Sequence, residues 1–367
     1  MRFVITRREA LDLADGINCF IFTLSKALFR QGHDVFLISA SSSSTQLIAN
    51  YYGGPTFSVI HCLSENPTPS HLEMLWAWRH VGLRLLRRID PHFVIVNGAL
   101  PFRLPYATCT VSHDLQRRWS YGSLVRRAYK AYAYRRTDRI VATCSELRDG
   151  LAAELAVPPR RISVIPTCID RNAYQMVPLE RRERAILHLG TAGYKAPLAT
   201  MEAFARTSDS AKLYITGRPT QAMVDYVGGL PEEIRRRISF LGIIGAEELK
   251  RLLATVRVVS VPSIYSVPVL SPTVLESLAS GTPVVGSTSI SADVLDDSCG
   301  FRIDPADTTE MAAKLDLLLN DDPTWRAASL GALNRVAAFD SGAVAARYQK
   351  LAEEVGRKLE VCSAAEG

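Results

Sequence analysis

Three residues of this chain have the type and setting to do chemistry: Glu276, Lys195 and His113. Glu276 lies in TVLESLAS (273–280), which follows the proline-bearing loop IYSVPVLSP (264–272). A carboxylate one turn into a helix accepts two hydrogen bonds at once, which suits the vicinal diol of a ribose. The helix start ahead of it presents unpaired N–H groups and a positive dipole end, a ready site for phosphate. Lys195 follows the strand-like AILHLG (185–190) in a short loop before PLATMEAFAR, where an ammonium neutralises diphosphate charge. His113 follows YATCTVS (106–112), at the carboxyl end of a strand, where ligands gather in open α/β sheets. A lone histidine there is otherwise a hydrogen-bonded structural imidazole.

The elements that must position these groups are legible around them. Val258–Ser287 reads as strand (VVSVPS), loop, helix opened by Thr273 and closed by Gly281, then strand (TPVVGS). At the other end of the chain, RFVI (2–5), a loop with Asp15-Gly16, the helix NCFIFTLSKALFR and the strand DVFLIS begin a doubly wound unit. Gly16 at the helix entry lets backbone approach a phosphate. Residues 43–72 carry no clear pattern. HLEMLWAWRHVGLRLLRR (71–88) predicts an amphipathic helix with Leu72, Leu75, Trp78 or Ala77, Leu83 and Leu86 on or near one face. FVIVNG (93–98) and RIVATCS (139–145) read as buried strands, and RNAYQMVPLERRER (171–184) as a linker. A second βα series follows: AILHLG, KLYITG, ISFLG and VVSVPS. Two such series in succession predict an α/β protein of two doubly wound domains.

Composition narrows the classes. A chain of 367 residues, 47% hydrophobic and 22% charged, suits two soluble globular domains. No apolar run approaches 18 residues, and the N-terminus MRFVITRREALDLADG has no apolar core of a signal peptide. The expected location is the cytoplasm. Seven scattered cysteines without CxxC spacing read as reduced thiols, and neither Asp296-Asp297 nor Asp321-Asp322 reads as more than a turn or cap, so no metal is expected. Residues 117–139 hold eight arginines and lysines with a Trp and four tyrosines. This is a solvated helix face or a peripheral surface for anionic membrane. No recognition motif points to nucleic acid.

The run P-S-x-x…L-E-S-L-A-S-G-T-P-V-V (262–285) resembles the donor-site signature of the retaining glycosyltransferases of family 4, which have the GT-B fold. IVATCSELRDGLAAEL…ISVIPTCIDRNAY (140–174) is similar to that family's last N-domain strand-helix-strand and its entry to the linker. The resemblance implies two Rossmann-like domains facing a cleft. Residues 1–172 would hold the acceptor and 173–340 the donor, with the helix after 341 returning to the N-domain. It implies transfer of a sugar from a nucleoside diphosphate to a hydroxyl of a small-molecule, polysaccharide or lipid-linked acceptor, without a metal or resident cofactor. UDP is the expected nucleotide, with GDP or dTDP as alternatives. It assigns the donor to Gly16, Gly190, Thr191, Lys195, Ile243, Ser271, Thr273, Val274 and Glu276, and the reacting sugar and acceptor hydroxyl to His113. The sequence departs from the family pattern at Pro268, where a Glu is usual, at Thr191, where an Arg is usual, and at Asp15, where a Gly is usual. Arg218 is a candidate for the missing cation. The departures fit a donor sugar lacking the hydroxyl a Glu would grip, or a weakly active or inactive nucleotide-sugar-binding relative; a GT-B sugar epimerase is a third reading.

Overall fold

The computed structural model describes residues 1–365 apart from 8, 13–14, 40, 42, 45–46, 49–57, 67–69, 99, 101, 116–120, 208–210 and 266; for 58–59, 71, 121–127 and 358–365 only the backbone is described. The chain divides into two units, residues 1–168 with 341–367, and residues 169–340.

The first unit is built on seven parallel strands, β1 (Arg2–Arg7), β2 (Asp34–Ser39), β3 (Ser58–Cys62), β4 (Phe93–Asn97), β5 (Thr108–Ser112), β6 (Arg139–Ala142) and β7 (Ile162–Val164). Their order is β3-β2-β1-β4-β5-β6-β7, so the winding reverses between β1 and β4. Continuous apolar strands such as FVIVN are buried along their whole length, as a parallel sheet covered on both faces requires. The helix Gly16–Arg30 lays Phe20, Ile21, Leu24 and Leu28 against the sheet. Val344, Ala345, Tyr348, Leu351 and Ala352 of the last helix, Ser341–Ala365, belong to the same core. Each such side chain removed from water contributes about 1.5–3 kcal/mol, which fixes this helix to the first unit.

The stretch after β3 differs from its expected pattern. It forms a helix His71–Ala77, a π-helical turn Trp78–Gly82 and a helix Leu83–Ile89. Met74, Ala77, Trp78 and Leu86 are buried, whereas Leu72 is 78% exposed. The wide turn rotates the second half relative to the first, so a single 3.6-residue period puts Leu72 on the wrong face. Gly82 is needed there, because a Cβ would lie 2.6 Å from Cε3 of the Trp78 ring.

The second unit holds six parallel strands, β8 (Glu183–Leu189), β9 (Lys212–Thr216), β10 (Ile238–Gly242), β11 (Val256–Val261), β12 (Val284–Ser287) and β13 (Gly300–Ile303). Their order is β10-β9-β8-β11-β12-β13, which puts the switch point between β8 and β11. β8, β9 and β10 close on Gly190 (φ +88°), Gly217 (φ +95°) and Gly242 (φ +68°). Three left-handed turns side by side open the carboxyl edge of the sheet, a conformation that costs other L-residues about 1–2 kcal/mol. The helix Pro272–Ala279 starts one residue before the expected Thr273, with proline at its first position, and ends at Gly281 (φ +64°).

Candidate active site

In the second unit the sequence-predicted residues gather on the loops that leave the carboxyl ends of β8 and β11, the two strands flanking the switch point. After β8, Gly190 N donates to Thr216 O (3.2 Å) and to Thr216 Oγ1 (3.1 Å). Thr191 Oγ1 then donates to Arg218 O at 2.7 Å. Thr191 thus ties two loops together and supplies no charge. Lys195 brings a cation to this turn, its side chain folding back over Gly190: a Cβ at 190 would stand 3.0 Å from Lys195 Cδ and 3.2 Å from Nζ. The glycine therefore serves the close approach as well as the positive φ.

A buried relay fixes this turn. His188 is 1% exposed, with Nε2 3.0 Å from Gly190 O and Nδ1 2.9 Å from Thr200 Oγ1, which lies 2.8 Å from Ser260 Oγ. Gly190 O can only accept, so His188 donates from Nε2 and accepts at Nδ1 from Thr200. Burial, aided by the Lys195 charge, pushes the imidazole down to about 3, so the ring is neutral. The relay joins β8, the helix Pro197–Phe204 and β11 beneath the loop that carries Lys195.

Beyond β11, Ile264 N donates to Tyr194 O at 2.7 Å, and the rings of Tyr194 and Tyr265 meet at 5.8 Å. The two loops of the switch point are thereby joined. Ser271 caps the helix Pro272–Ala279 by position, without a side-chain capping bond. Val274 N and Leu275 N turn back to Ser271 O at 3.1 and 3.2 Å, and Pro272 has no N–H, which leaves Thr273 N without an intrahelical partner. One turn in, Glu276 Oε1 accepts from the Tyr174 hydroxyl at 3.2 Å. Burial raises the Glu276 carboxyl above its ordinary range, opposed by that hydroxyl and by the charges of Lys195 and Lys250. Burial likewise lowers Lys195, opposed by Glu276. Each charge thus opposes the effect of desolvation on the other. Ile243 stands at the end of β10, 74% exposed, beyond the bond from Gly217 N to Gly242 O (2.6 Å).

Gly16 and His113 belong to the first unit. Gly16 opens its helix, but the amides behind it are taken: Asp15 Oδ1 accepts from Ile17 N (3.0 Å) and Asn18 N (2.9 Å). Arg7, 4% exposed at the end of β1, grips the same carboxylate through two bonds of 2.9 and 2.8 Å. A departure from glycine at position 15 thus becomes a neutralised cap in place of an open phosphate nest. His113 packs edge-on to Phe20 at 5.2 Å, and its Nε2 lies 2.9 Å from Asn97 Oδ1. Desolvation first, then the charges of Arg7 and Lys130, push its ring down to about 4; Asp15 opposes them.

Sequence reasoning missed Tyr174, Asn97, Arg7 and the His188 relay as parts of these sites. Tyr174 ends and Asn97 lies within a segment already recognised, but nothing in a linear pattern pairs them with residues 102 and 16 positions away. Among the described residues, no three of His, Cys, Asp and Glu gather as a metal-ligating group. Asp321 caps the following helix by accepting from Thr324 N (2.9 Å). The Cys168 thiol is buried at 3% exposure in the apolar core of the first unit.

Comparison with known proteins agrees with this architecture. The family model for Glycosyltransferase Family 4 matches residues 14–173, and that for Glycosyl transferases group 1 matches residues 183–321. The MMP alpha-(1->4)-mannosyltransferase of Mycolicibacterium hassiacum is 26% identical over 286 residues, 69% of this chain and 66% of that protein. Among solved structures, HepE of Anabaena in complex with UDP and glucose superposes with a TM-score of 0.74 at 14% identity, covering 96% of this chain and 100% of that one. Sucrose-phosphate synthase of Thermosynechococcus elongatus does so with a TM-score of 0.74 at 16% identity, over 96% and 98%. The chain belongs to the family-4 glycosyltransferases and has their two-domain GT-B fold. It spans just under two thirds of the length of the mannosyltransferase it matches.

Proposed function

We propose that the chain transfers a sugar from a nucleoside diphosphate to a hydroxyl group, with retention at the anomeric carbon. The observation that carries this reading is the arrangement at the β8–β11 switch point. There the carboxylate of Glu276, steadied by Tyr174, shares a loop cluster with the ammonium of Lys195 and the start of the helix Pro272–Ala279. A carboxylate for a ribose diol beside a cation and a helix N-terminus for phosphate is a nucleoside-diphosphate site. UDP is the expected nucleotide; the HepE structure holds UDP and glucose, and the mannosyltransferase relative acts on a sugar.

In this reading the bond between the anomeric carbon and the β-phosphate oxygen breaks. The acceptor oxygen bonds to the same face of the carbon, and its proton passes to the leaving phosphate oxygen. Lys195, Thr273 N and the helix dipole stabilise the charge on the departing diphosphate. The first unit supplies His113 as the partner for a hydroxyl of the reacting sugar or acceptor. Peripheral contact with anionic membrane through 117–139 rests on exposed Arg135 and Arg136, the latter stacked 4.3 Å over the Tyr132 ring. Against it, Tyr134 of the same stretch is buried and Lys130 Nζ donates to Asp114 O (2.9 Å). Sedimentation with anionic vesicles decides this point.

The test is product analysis with UDP-, GDP- and dTDP-sugars against a panel of hydroxyl acceptors, reading the anomeric configuration by NMR. A product of retained configuration supports the reading. Binding without turnover supports a nucleotide-sugar-binding relative, and an altered sugar formed without acceptor supports an epimerase.

A further inference from the structure

We infer that Asn97 is a positioning residue that sets the tautomer of His113, so that the ring carries its proton on Nε2 and meets substrate as a hydrogen-bond acceptor through Nδ1. The clause about substrate rests on the function proposed above; the assignment of the proton does not.

Asn97 is the last residue of β4, next to the switch point of the first sheet, and is 5% exposed. Its side-chain amide has one end that only donates and one that only accepts. Nδ2 lies 3.2 Å from Thr6 O, a backbone carbonyl of β1 that can only accept. The NH2 group must therefore face Thr6. The other end, Oδ1, lies 2.9 Å from His113 Nε2. Two lone pairs facing each other at that distance would leave both buried groups unsatisfied, at about 1–3 kcal/mol each. His113 therefore donates from Nε2. The backbone of β1 thus orients the amide of β4, and the amide orients the imidazole after β5.

The consequence follows from charge. The groups that bear on the ring are Arg7 at the end of β1, Asp15 at the helix cap and Lys130 on the helix Tyr121–Arg135. Asp15 alone favours an imidazolium, but its carboxylate is paired with Arg7, and Lys130 adds positive charge, so desolvation and the two cations outweigh it. A neutral ring that donates from Nε2 has a lone pair at Nδ1. That atom makes no hydrogen bond among the described residues. It accepts from an O–H and cannot serve as a donor to an oxyanion or a carbonyl. His113 therefore selects a hydroxyl-bearing partner, and a substrate deoxygenated at that contact loses the interaction.

The experiment is a long-range 1H–15N correlation spectrum of the full chain labelled at histidine, with the His113 signals assigned by their loss in His113→Gln. At pH 7 the expected pattern is a neutral ring protonated at Nε2. Asn97→Asp, which keeps the shape and replaces the amide by a carboxylate, is expected to raise the His113 titration by about one pH unit or more. In Asn97→Ala the single tautomer is expected to give way to a mixture. A wild-type ring protonated at Nδ1, or an unchanged tautomer in Asn97→Ala, would overturn the inference. The wild-type spectrum decides even where a variant fails to fold, and it needs no turnover. Where a donor and acceptor are turned over, Asn97→Asp is expected to lower kcat with donor KM unchanged and to move the acid limb of the rate upward. An unmoved acid limb beside a correct wild-type tautomer sinks the role in the reaction alone.

Discussion

The hydroxyl of Tyr174 donates to Oε1 of Glu276 across 3.2 Å, and this bond joins the segment that enters the second unit to the helix of the proposed donor site. It leaves the second carboxylate oxygen for a ligand and opposes the rise that burial gives this carboxyl. Tyr174→Phe is expected to weaken nucleotide binding at pH 7 by about two- to tenfold, the worth of one hydrogen bond. The sign with pH is definite. The Glu276 carboxyl is already raised, so binding fades as pH falls toward that raised value, and removing the hydroxyl moves the fade to still higher pH. Calorimetric titrations with UDP between pH 5 and 8 check this, and superimposable pH curves for the two proteins would refute it.

In the proposed function Lys195 serves the diphosphate and no other part of the donor. Lys195→Gln is expected to weaken UDP by about 10- to 100-fold, as loss of a charge-assisted bond does, while leaving uridine affinity within a factor of two or so. Titration with both ligands is the measurement. Equal losses for UDP and uridine would mean that the lysine supports the fold of the loop instead.

Gly190 carries two burdens, a φ of +88° and the Lys195 side chain 3.0 Å from where a Cβ would stand. Gly190→Ala is expected to lower stability by about 1–2 kcal/mol through backbone strain, and to weaken UDP in addition by displacing Lys195. Denaturant unfolding and UDP titration together test this; normal UDP affinity in the folded variant would show that Lys195 does not depend on the turn.

His188 predicts acid sensitivity. Its ring ordinarily titrates near 6.5 and in the folded chain at about 3, so the unfolded state binds the proton more readily. Stability is therefore whole above about pH 6.5 and falls by about 1.4 kcal/mol per pH unit below it, until about pH 3. The melting temperature of the wild type is expected to drop between pH 7 and 5, and to drop less in His188→Gln. The same drop in both would place the acid sensitivity elsewhere.

What the sequence made legible and what it did not divide along one physical line. Glu276, Lys195 and the strand ends were readable because each lies in a strand-loop-helix pattern whose chemistry is local. The helix after β3 was misread in its facing, since one π-helical turn at Trp78–Gly82 rotates every later residue and leaves no trace in composition. Asp15 read as a departure from glycine, and only the fold shows Arg7 neutralising it from eight residues away. The Thr6–Asn97–His113 chain joins three strands that are neighbours in the sheet and distant in sequence. Residues 49–57 and 116–120 lie outside the described residues.

The central claim is that Glu276 and its loop cluster form a nucleoside-diphosphate site. The most direct measurement is the thermal midpoint of the wild type and of Glu276→Ala against UDP, GDP, dTDP, ADP and CDP, since a ligand bound only by the folded state raises it by mass action. The account predicts that one series, UDP first, raises the wild-type midpoint in a concentration-dependent way and that Glu276→Ala abolishes the rise. A wild type that no nucleotide stabilises, or a variant stabilised as well as the wild type, would contradict it.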